Sequence, residues 1–462
     1  MPDQIISLDI GSTYTKGALF SLSSQKDRFQ LEKQASHPTT TELPISGVNI
    51  VLNKLGYQES TPIYCSSSAK GGLSIIALGI VPELTLHMAK ITAYSAGGKI
   101  TKVFDFKISK DDVRLIDQLT PDIILFAGGT DGGSESYNMH NANMLKHLQT
   151  NPTIIYAGNR VIADEICIIL ADKQITVAPN ILPEIDTPFP DAARDKIREI
   201  FLKRIVECKG LSEIQKLTKH DPYPTPYSVF ELVKKIPTFK PDWQSFCLID
   251  MGGATTDFYS YHQEELESGV VFKGLKEPDA KRTVEGDLGI RVSATSTFSA
   301  GKDFFHKNCA QDKLPAFHEY VKTVSAHPEI IPNTLPEIEF DKYLADVCIG
   351  LSALRHAGKR KKTFTAAGEC FLQSGKDLSK VEKLIGTGGF LSKSQNYTID
   401  QNLFAKFQNQ QGTETELLPE KIAYYVDRDY LIPLLANLSH IYPKASVNSV
   451  IEALTLNPGA AK

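Results

Sequence analysis

The chain of 462 residues is long enough for two or three domains of ordinary size. Its 42% hydrophobic and 23% charged residues describe a soluble globular protein, and a net charge of −4 leaves no basic field for nucleic acid or an anionic membrane. Seven cysteines show no zinc or Cys-x-x-Cys spacing, no apolar run approaches the ~18 residues of a membrane helix, and the opening Met-Pro-Asp-Gln lacks the features of a signal segment, so reduced thiols and a cytoplasmic setting are expected.

Residues 5 to 34 predict a hairpin or meander of three strands: Ile5–Ile10, Gly17–Ser21 and Phe29–Lys33. The first runs into Asp9-Ile-Gly-Ser-Thr13. A glycine at a strand end lets the backbone turn tightly and approach a ligand. Successive N–H groups in such a turn form an anion site. A strand-end carboxylate can hold a hydrated magnesium. The segment is therefore a candidate phosphate cradle with its own metal ligand, or else a glycine-rich hairpin with no ligand.

Residues 45 to 57 predict a helix stopped at Gly56. A strand then enters the small polar loop Cys65-Ser-Ser-Ser-Ala-Lys-Gly-Gly72, and a helix follows over Pro82–Ala96. Between about 100 and 180, candidate strands Lys102–Phe106, Ile123–Ala127, Thr153–Ala157 and Gln174–Ala178 alternate with helices, which implies a parallel sheet. In the loop Ala127-Gly-Gly-Thr-Asp-Gly-Gly133, Thr130 and Asp131 are placed to touch a ligand beyond the strand end; the alternative is a plain connecting loop. An amphipathic helix over Asp191–Cys208, stopping at Gly210, separates two proline-rich tracts, and a domain crossover is placed there.

Phe246-Cys-Leu-Ile-Asp-Met-Gly-Gly-Ala-Thr-Thr-Asp-Phe258 is a degenerate copy of the N-terminal motif. Asp250 lies over Asp9, Gly252 over Gly11 and Thr256 over Thr15; Ser12 and Thr13 fall near Gly253 and Ala254. Two cradles half a chain apart suggest two related domains, each giving one carboxylate to a polyphosphate with its bridging metal. In Arg282-Thr-Val-Glu-Gly-Asp-Leu-Gly-Ile-Arg-Val292, Glu285 or Asp287 can orient a water or support the metal, and Arg282 or Arg291 can meet phosphate. The bland reading is a helix start with solvated arginines. The tract 327–340 reads as a surface connection, and Asp341–His356 as a helix whose end is stabilised by the basic cluster Lys359–Lys362. Val381-Glu-Lys-Leu-Ile-Gly-Thr-Gly-Gly-Phe-Leu391 is a short strand into bare glycine backbone. Helices are expected at Ile432–Ser439 and Val447–Leu454, and His140, His306 and His318 lack metal-spaced partners.

These three glycine motifs, in this order, resemble the two phosphate motifs and the adenosine motif of the actin, sugar-kinase and heat-shock-chaperone ATPase superfamily. The combination of Asp9–Lys16, Cys65–Gly72, Ala127–Gly133, Glu285–Gly289 and Gly386–Gly389 is more closely similar to the MutL (GlmL) accessory proteins of glutamate mutase. The resemblance implies an α/β fold of two ribonuclease-H-like domains facing across a nucleotide cleft. The halves would be 1–240 and 241–462, with an inserted α/β segment at about 74–180. It implies ATP and Mg²⁺ as cofactors. Asp9 and Asp250 would hold the metal through water, and with Glu285 and Asp287 form the catalytic set. Gly11, Ser12, Thr13 and Lys16 would meet the phosphates from one side, and Gly252, Gly253, Ala254, Thr255 and Thr256 from the other. Gly386, Gly388 and Gly389 would border the adenosine. It further implies a slow, chaperone-like ATPase whose domain opening reactivates or assembles an adenosylcobalamin-dependent mutase, with mutase subunits as partners. A small-molecule kinase and an ATP-binding scaffold or filament protein are the other classes that the superfamily allows.

Overall fold

The computed structural model describes residues 4–11, 13–40, 44–68, 73–207, 211–218, 220–265, 267–365, 368–394, 397–408 and 413–457. Ser12 and the Ala69–Gly72 part of the polar loop lie outside them. In chain order the strands are β1 (Gln4–Ile10), β2 (Tyr14–Leu22), β3 (Phe29–Pro38), β4 (Ile63–Ser67), β5 (Ser74–Leu78), β6 (Lys99–Phe104), β7 (Ile123–Phe126), β8 (Thr153–Tyr156), β9 (Ile175–Val177), β10 (Tyr223–Pro224), β11 (Ser245–Met251), β12 (Thr256–His262), β13 (Val270–Phe272), β14 (Ala280–Glu285), β15 (Lys359–Thr365), β16 (Gly368–Ser374), β17 (Lys383–Thr387), β18 (Glu414–Glu416), β19 (Ala423–Val426) and β20 (Thr455–Leu456).

The chain divides into two compact units. The larger comprises Met1–Ala69, Lys209–Phe272 and Lys276–Lys462. It holds two sheets built to one plan. In the first the order is β10-β4-β1-β2-β3; in the second it is β14-β12-β11-β17-β19-β20. In each, an antiparallel meander (β1-β2-β3 or β11-β12-β14) is extended beyond its first strand by two parallel strands, β4 and β10 or β17 and β19. The repeat seen in two short motifs is therefore a repeat of whole sheets, the ribonuclease-H-like duplication of an actin-like fold. The second copy adds only β20 at its edge.

Two helices tie the copies together. The helix Thr225–Phe239 follows β10 of the first sheet and packs on β12 and β14 of the second. The helix Leu431–Leu438 follows β19 of the second sheet and packs on β1 and β4 of the first. Their buried Val229, Leu232, Val233, Leu434 and Leu435 join Ile5, Phe20, Phe246 and Tyr259 in one core. A second core, with Phe258, Phe305, Phe317 and Leu344, fills the other side of the second sheet.

The smaller unit, Lys70–Cys208 with Lys273–Leu275, holds an all-parallel sheet of order β6-β5-β7-β8-β9 around a core of its own. Its interior strand β5, between β6 and β7, is absent from the sequence reading, which passes from the polar loop directly to the following helix. The signal was present: Ile75, Ile76, Ala77 and Leu78 form a short apolar run with no exposed face.

Three further expectations are corrected. The second proline tract contains the helix Thr225–Phe239; Pro226 sits in the first turn, where its missing N–H costs nothing, and Pro237 comes only in the last turn. The supposed surface connection ends earlier than expected, because the helix Leu335–His356 starts at a capping box of Thr334 and Glu337. Lys359–Lys362 keeps its lysines exposed after the helix end but is not a loose cluster there. It is part of strand β15, in a four-stranded sheet of order β13-β16-β15-β18, where its basic residues pair with Glu416, Glu267, Asp377 and Glu369.

Candidate functional site

Strands β1 and β11 are central in their sheets and carry apolar residues that are buried on both faces. Each ends at a carboxylate and a tight turn. Gly11 N donates to Tyr14 O at 3.0 Å, and Gly252 N donates to Thr255 O at 2.9 Å, so the same turn is made twice. These glycines do not have positive φ. Close approach is what requires them: a Cβ on Gly11 would lie 2.8 Å from Tyr14 O, and one on Gly253 would lie 3.1 Å from Arg291 Cβ. The same point beside Gly253 is 3.9 Å from Thr13 Oγ1, which brings the two turns face to face. Ala254, like its neighbours, avoids positive φ, a region that is costly for a residue with a Cβ.

The strand register sets what lies beside each carboxylate. Lys16 is opposite Asp9, and Asp257 is opposite Asp250. Asp9 is buried and accepts hydrogen bonds from Thr225 Oγ1 at 2.6 Å, Tyr430 OH at 3.1 Å and Ser66 Oγ at 3.3 Å. Lys16 Nζ lies 3.1 Å from the centre of the Tyr430 ring. Burial brings the Lys16 ammonium down to about 8, against the pull of Asp9, Asp250 and Asp427. Burial, reinforced by Asp257 and Asp9, pushes the Asp250 carboxyl up to about 7, with Lys16 opposing. Burial also raises Asp427, although it accepts from Ile432 N, Thr387 Oγ1 and Leu431 N. Tyr430 is held at φ 54°, in the left-handed region, between these groups. The result is three carboxylates acting on one partly buried ammonium at the meeting point of two glycine turns.

Other expected site residues fall in different places. Thr256 is buried, and its hydroxyl is donated to Leu288 O at 3.0 Å, away from the turn; Thr255 stays in the turn. Gly388 has φ +108°, and any side chain there would run into the Met251 carbonyl; one on Gly386 would run into the Tyr424 hydroxyl. Both therefore serve packing of β17 against its neighbours. Gly389 has nothing within 4 Å of its missing Cβ and faces open space. Glu285 and Asp287 are brought together by Arg355, which reaches Glu285 at 2.7 Å and Asp287 at 2.7 and 2.9 Å. Burial raises the Glu285 carboxyl despite that arginine.

The two arginines read as phosphate partners are corrected by their pairings. Arg282 is buried against Asp257, with Nε at 2.8 Å, and Arg291 forms a two-pronged pair with buried Asp341 at 2.9 and 2.7 Å. The sequence reading missed Thr225, Asp427 and Tyr430. Asp427 carried a usable signal: it follows the apolar run of β19 as Asp9 and Asp250 follow or end theirs. Thr225 and Tyr430 carried none, since no glycine motif surrounds them.

The described residues hold no group of three or more His, Cys, Asp or Glu placed to bind a metal. Asp9 and Asp250 are hard oxygen donors, a set that suits a magnesium completed by water and phosphate. The sequence model of the MutL protein family matches residues 5–454. Protein MutL of Clostridium tetanomorphum is 35% identical over 459 residues, covering 96% of this chain and 98% of that one. The chain belongs to the MutL family. Solved structures similar to this MutL-family chain include the activator of the 2-hydroxyisocaproyl-CoA dehydratase from Clostridium difficile with bound ADPNP, at 8% identity over 97% of this chain and 95% of that one, TM-score 0.27. A glycerol dehydratase reactivase matches at 10% identity over 87% and 94%, TM-score 0.32. The xylulose kinase of Bifidobacterium adolescentis matches at 9% over 98% and 95%, TM-score 0.31. At these scores they add nothing to the strand orders of the MutL-family chain itself.

Proposed function

We propose that this MutL-family protein is an ATP- and magnesium-dependent accessory factor that reactivates or assembles an adenosylcobalamin-dependent mutase of the glutamate mutase type. The observation that carries the nucleotide part is the pairing of Asp9 and Asp250 around Lys16 at two apposed glycine turns. The link to a mutase is supported by family membership. In this reading Asp9 and Asp250 hold the metal through water. The turns Gly11–Thr13 and Gly252–Thr255 wrap the phosphates, each closed by its own Gly11 or Gly252 N–H bond, and the open space at Gly389 receives the nucleoside. The bound nucleotide supplies an anhydride whose cleavage drives the cycle.

The protein's own part is positioning. Lys16 exchanges its place on the Tyr430 ring for phosphate oxygens, which leaves Tyr430 and its hydrogen bond to Asp9 free to move. Glu285 and Asp287, held by Arg355, orient a water. The halves 1–240 and 241–462 would respond by changing their separation, and a client would sense the two states only through unequal affinity for them. The test is capture of partners from native extract on the immobilised protein with ATP, ADP or neither, beside equilibrium dialysis of magnesium–ATP. The reading requires cobalamin-mutase subunits whose retention changes with nucleotide. ADP formation that depends on an added sugar or small acid would replace it with a kinase.

A further inference from the structure

Asp9 is 2% exposed, so a hydrated metal reaches it only if a neighbour gives way. Its two oxygens are held differently. Oδ1 accepts from Thr225 Oγ1 at 2.6 Å and from Ser66 Oγ at 3.3 Å. Both donors are buried, one at the first residue of the helix Thr225–Phe239 and one inside β4, and neither withdraws without dragging its element. Oδ2 accepts from Tyr430 OH alone among the described residues, at 3.1 Å. Tyr430 is partly exposed and lies in the turn between β19 and the helix Leu431–Leu438. It is the neighbour that can leave.

The same side chain covers the lysine. Lys16 Nζ sits 3.1 Å from the centre of the Tyr430 ring. An ammonium on a ring face is held there by the ring's quadrupole, and that side of it is closed to phosphate. One residue therefore occupies the proposed metal ligand and the proposed phosphate ligand together. Its backbone stands at φ 54° and ψ 40°, a costly conformation for a bulky side chain. The start of the helix does not call for that cost in exchange for a cap, because the Tyr430 side chain makes no capping bond and Asp427 accepts from Leu431 N and Ile432 N. What the left-handed backbone accompanies is a phenol on Asp9 and a ring on Lys16.

We propose that Tyr430 is an autoinhibitory plug of the nucleotide site. In the nucleotide-free protein its O–H stands on Asp9 Oδ2 where a metal-bound water would stand, and its ring stands beside Lys16 where phosphate oxygens would stand. Its withdrawal is favoured when Asp9 gains another donor and Lys16 gains an anion. A free cation answers Asp9 alone and a free nucleotide answers Lys16 alone, so the magnesium–nucleotide complex is the ligand that releases both contacts. This inference rests on the nucleotide reading above and adds its regulation.

The test is equilibrium dialysis of magnesium–ADPNP against the full chain, its Tyr430→Phe variant and its Tyr430→Gly variant, together with ultraviolet difference spectra of the bound and free protein. Tyr430→Phe keeps the ring and lacks the hydroxyl, and should bind about tenfold more tightly than the parent, the size of one hydrogen bond to a charged group. Tyr430→Gly takes the left-handed backbone without strain and also uncovers Lys16, so it should bind about fivefold more tightly than Tyr430→Phe. In the parent, binding should perturb tyrosine absorbance as the phenol leaves Asp9, and that band should be missing from Tyr430→Phe. The phenylalanine variant is close in shape to the parent and keeps the test decisive if the glycine variant fails to fold. Parent and variants that bind equally, or variants that bind more weakly, overturn the plug and leave the nucleotide reading standing. Absence of binding by all three removes the nucleotide reading, and the plug falls with it.

Discussion

Asp250 is where residue chemistry becomes measurable. Burial, with Asp257 and Asp9 beside it, pushes its carboxyl from the ordinary 3.8 up to about 7 in the fold. Between those values the folded state binds more protons, so this group's contribution to stability is lost as pH rises from about 4 towards 7. Asp250→Asn should flatten that slope in urea titrations run across the window. A metal must displace the same proton, so magnesium-dependent nucleotide affinity should rise by up to about tenfold per pH unit below 7 and level off above it. Asp250→Asn should remove both the magnesium dependence and the pH dependence; affinity unchanged by pH in the parent protein would contradict the assignment. The glycines of the third motif separate packing from binding. Gly388→Ala meets the Met251 carbonyl at positive φ and should cost about 2 kcal/mol or more in urea unfolding. Gly389→Ala has room in the fold, so stability should hold while nucleotide affinity falls. Asp9, Asp250 and Lys16 were legible because glycine punctuates the chain beside each. Tyr430 was not: its role comes from a left-handed backbone and a strand-end partner 421 positions away.

At the scale of elements, what holds a segment often differs from what its composition suggests. Lys359-Arg-Lys-Lys362 reads as solvated charge, yet its backbone pairs with β16 and β18 as a strand, with Glu416 and Glu369 on those strands set against its lysines. Those partners are distant in sequence, so no local pattern showed them. The proline tract before β11 hid a helix because Pro226 occupies the first turn, where proline is tolerated, and Pro237 comes only in the last turn, so that the bond it removes lies at the helix end. By contrast, the helix Pro44–Leu55 was legible to its last residue, since Gly56 at φ +78° provides the expected stop. The helix Leu431–Leu438 has a less visible start. Asp427 accepts from Leu431 N at 2.7 Å and Ile432 N at 3.0 Å, in place of a cap by Tyr430. Asp427→Ala should therefore lower stability by about 1–2 kcal/mol through loss of the cap. Asp427→Asn, which keeps an acceptor, should recover part of it. Equal losses in the two variants, measured by chemical denaturation, would assign the effect to charge and not to capping.

For the whole molecule, two separate cores make a calorimetric prediction. The smaller unit buries Ile76, Phe126, Ile154 and Tyr156 within its own parallel sheet, and residues 73–207 should fold cooperatively when expressed alone. The larger unit carries both glycine turns, and the helices Thr225–Phe239 and Leu431–Leu438 bind its sheets into one core. Magnesium–ATP should therefore raise the melting transition of the full chain that belongs to the larger unit. At a hundred times the dissociation constant the stabilisation is about 2.7 kcal/mol. The isolated 73–207 segment should show no shift under the same conditions. Adding a chelator should return the full chain to its nucleotide-free melt, because Asp9 and Asp250 repel the phosphates when no cation lies between them. A shift that survives chelation would mean that Lys16 alone neutralises the nucleotide. Asp9 and Asp250 would then be structural carboxylates, bonded as Asp9 already is to Thr225, Ser66 and Tyr430.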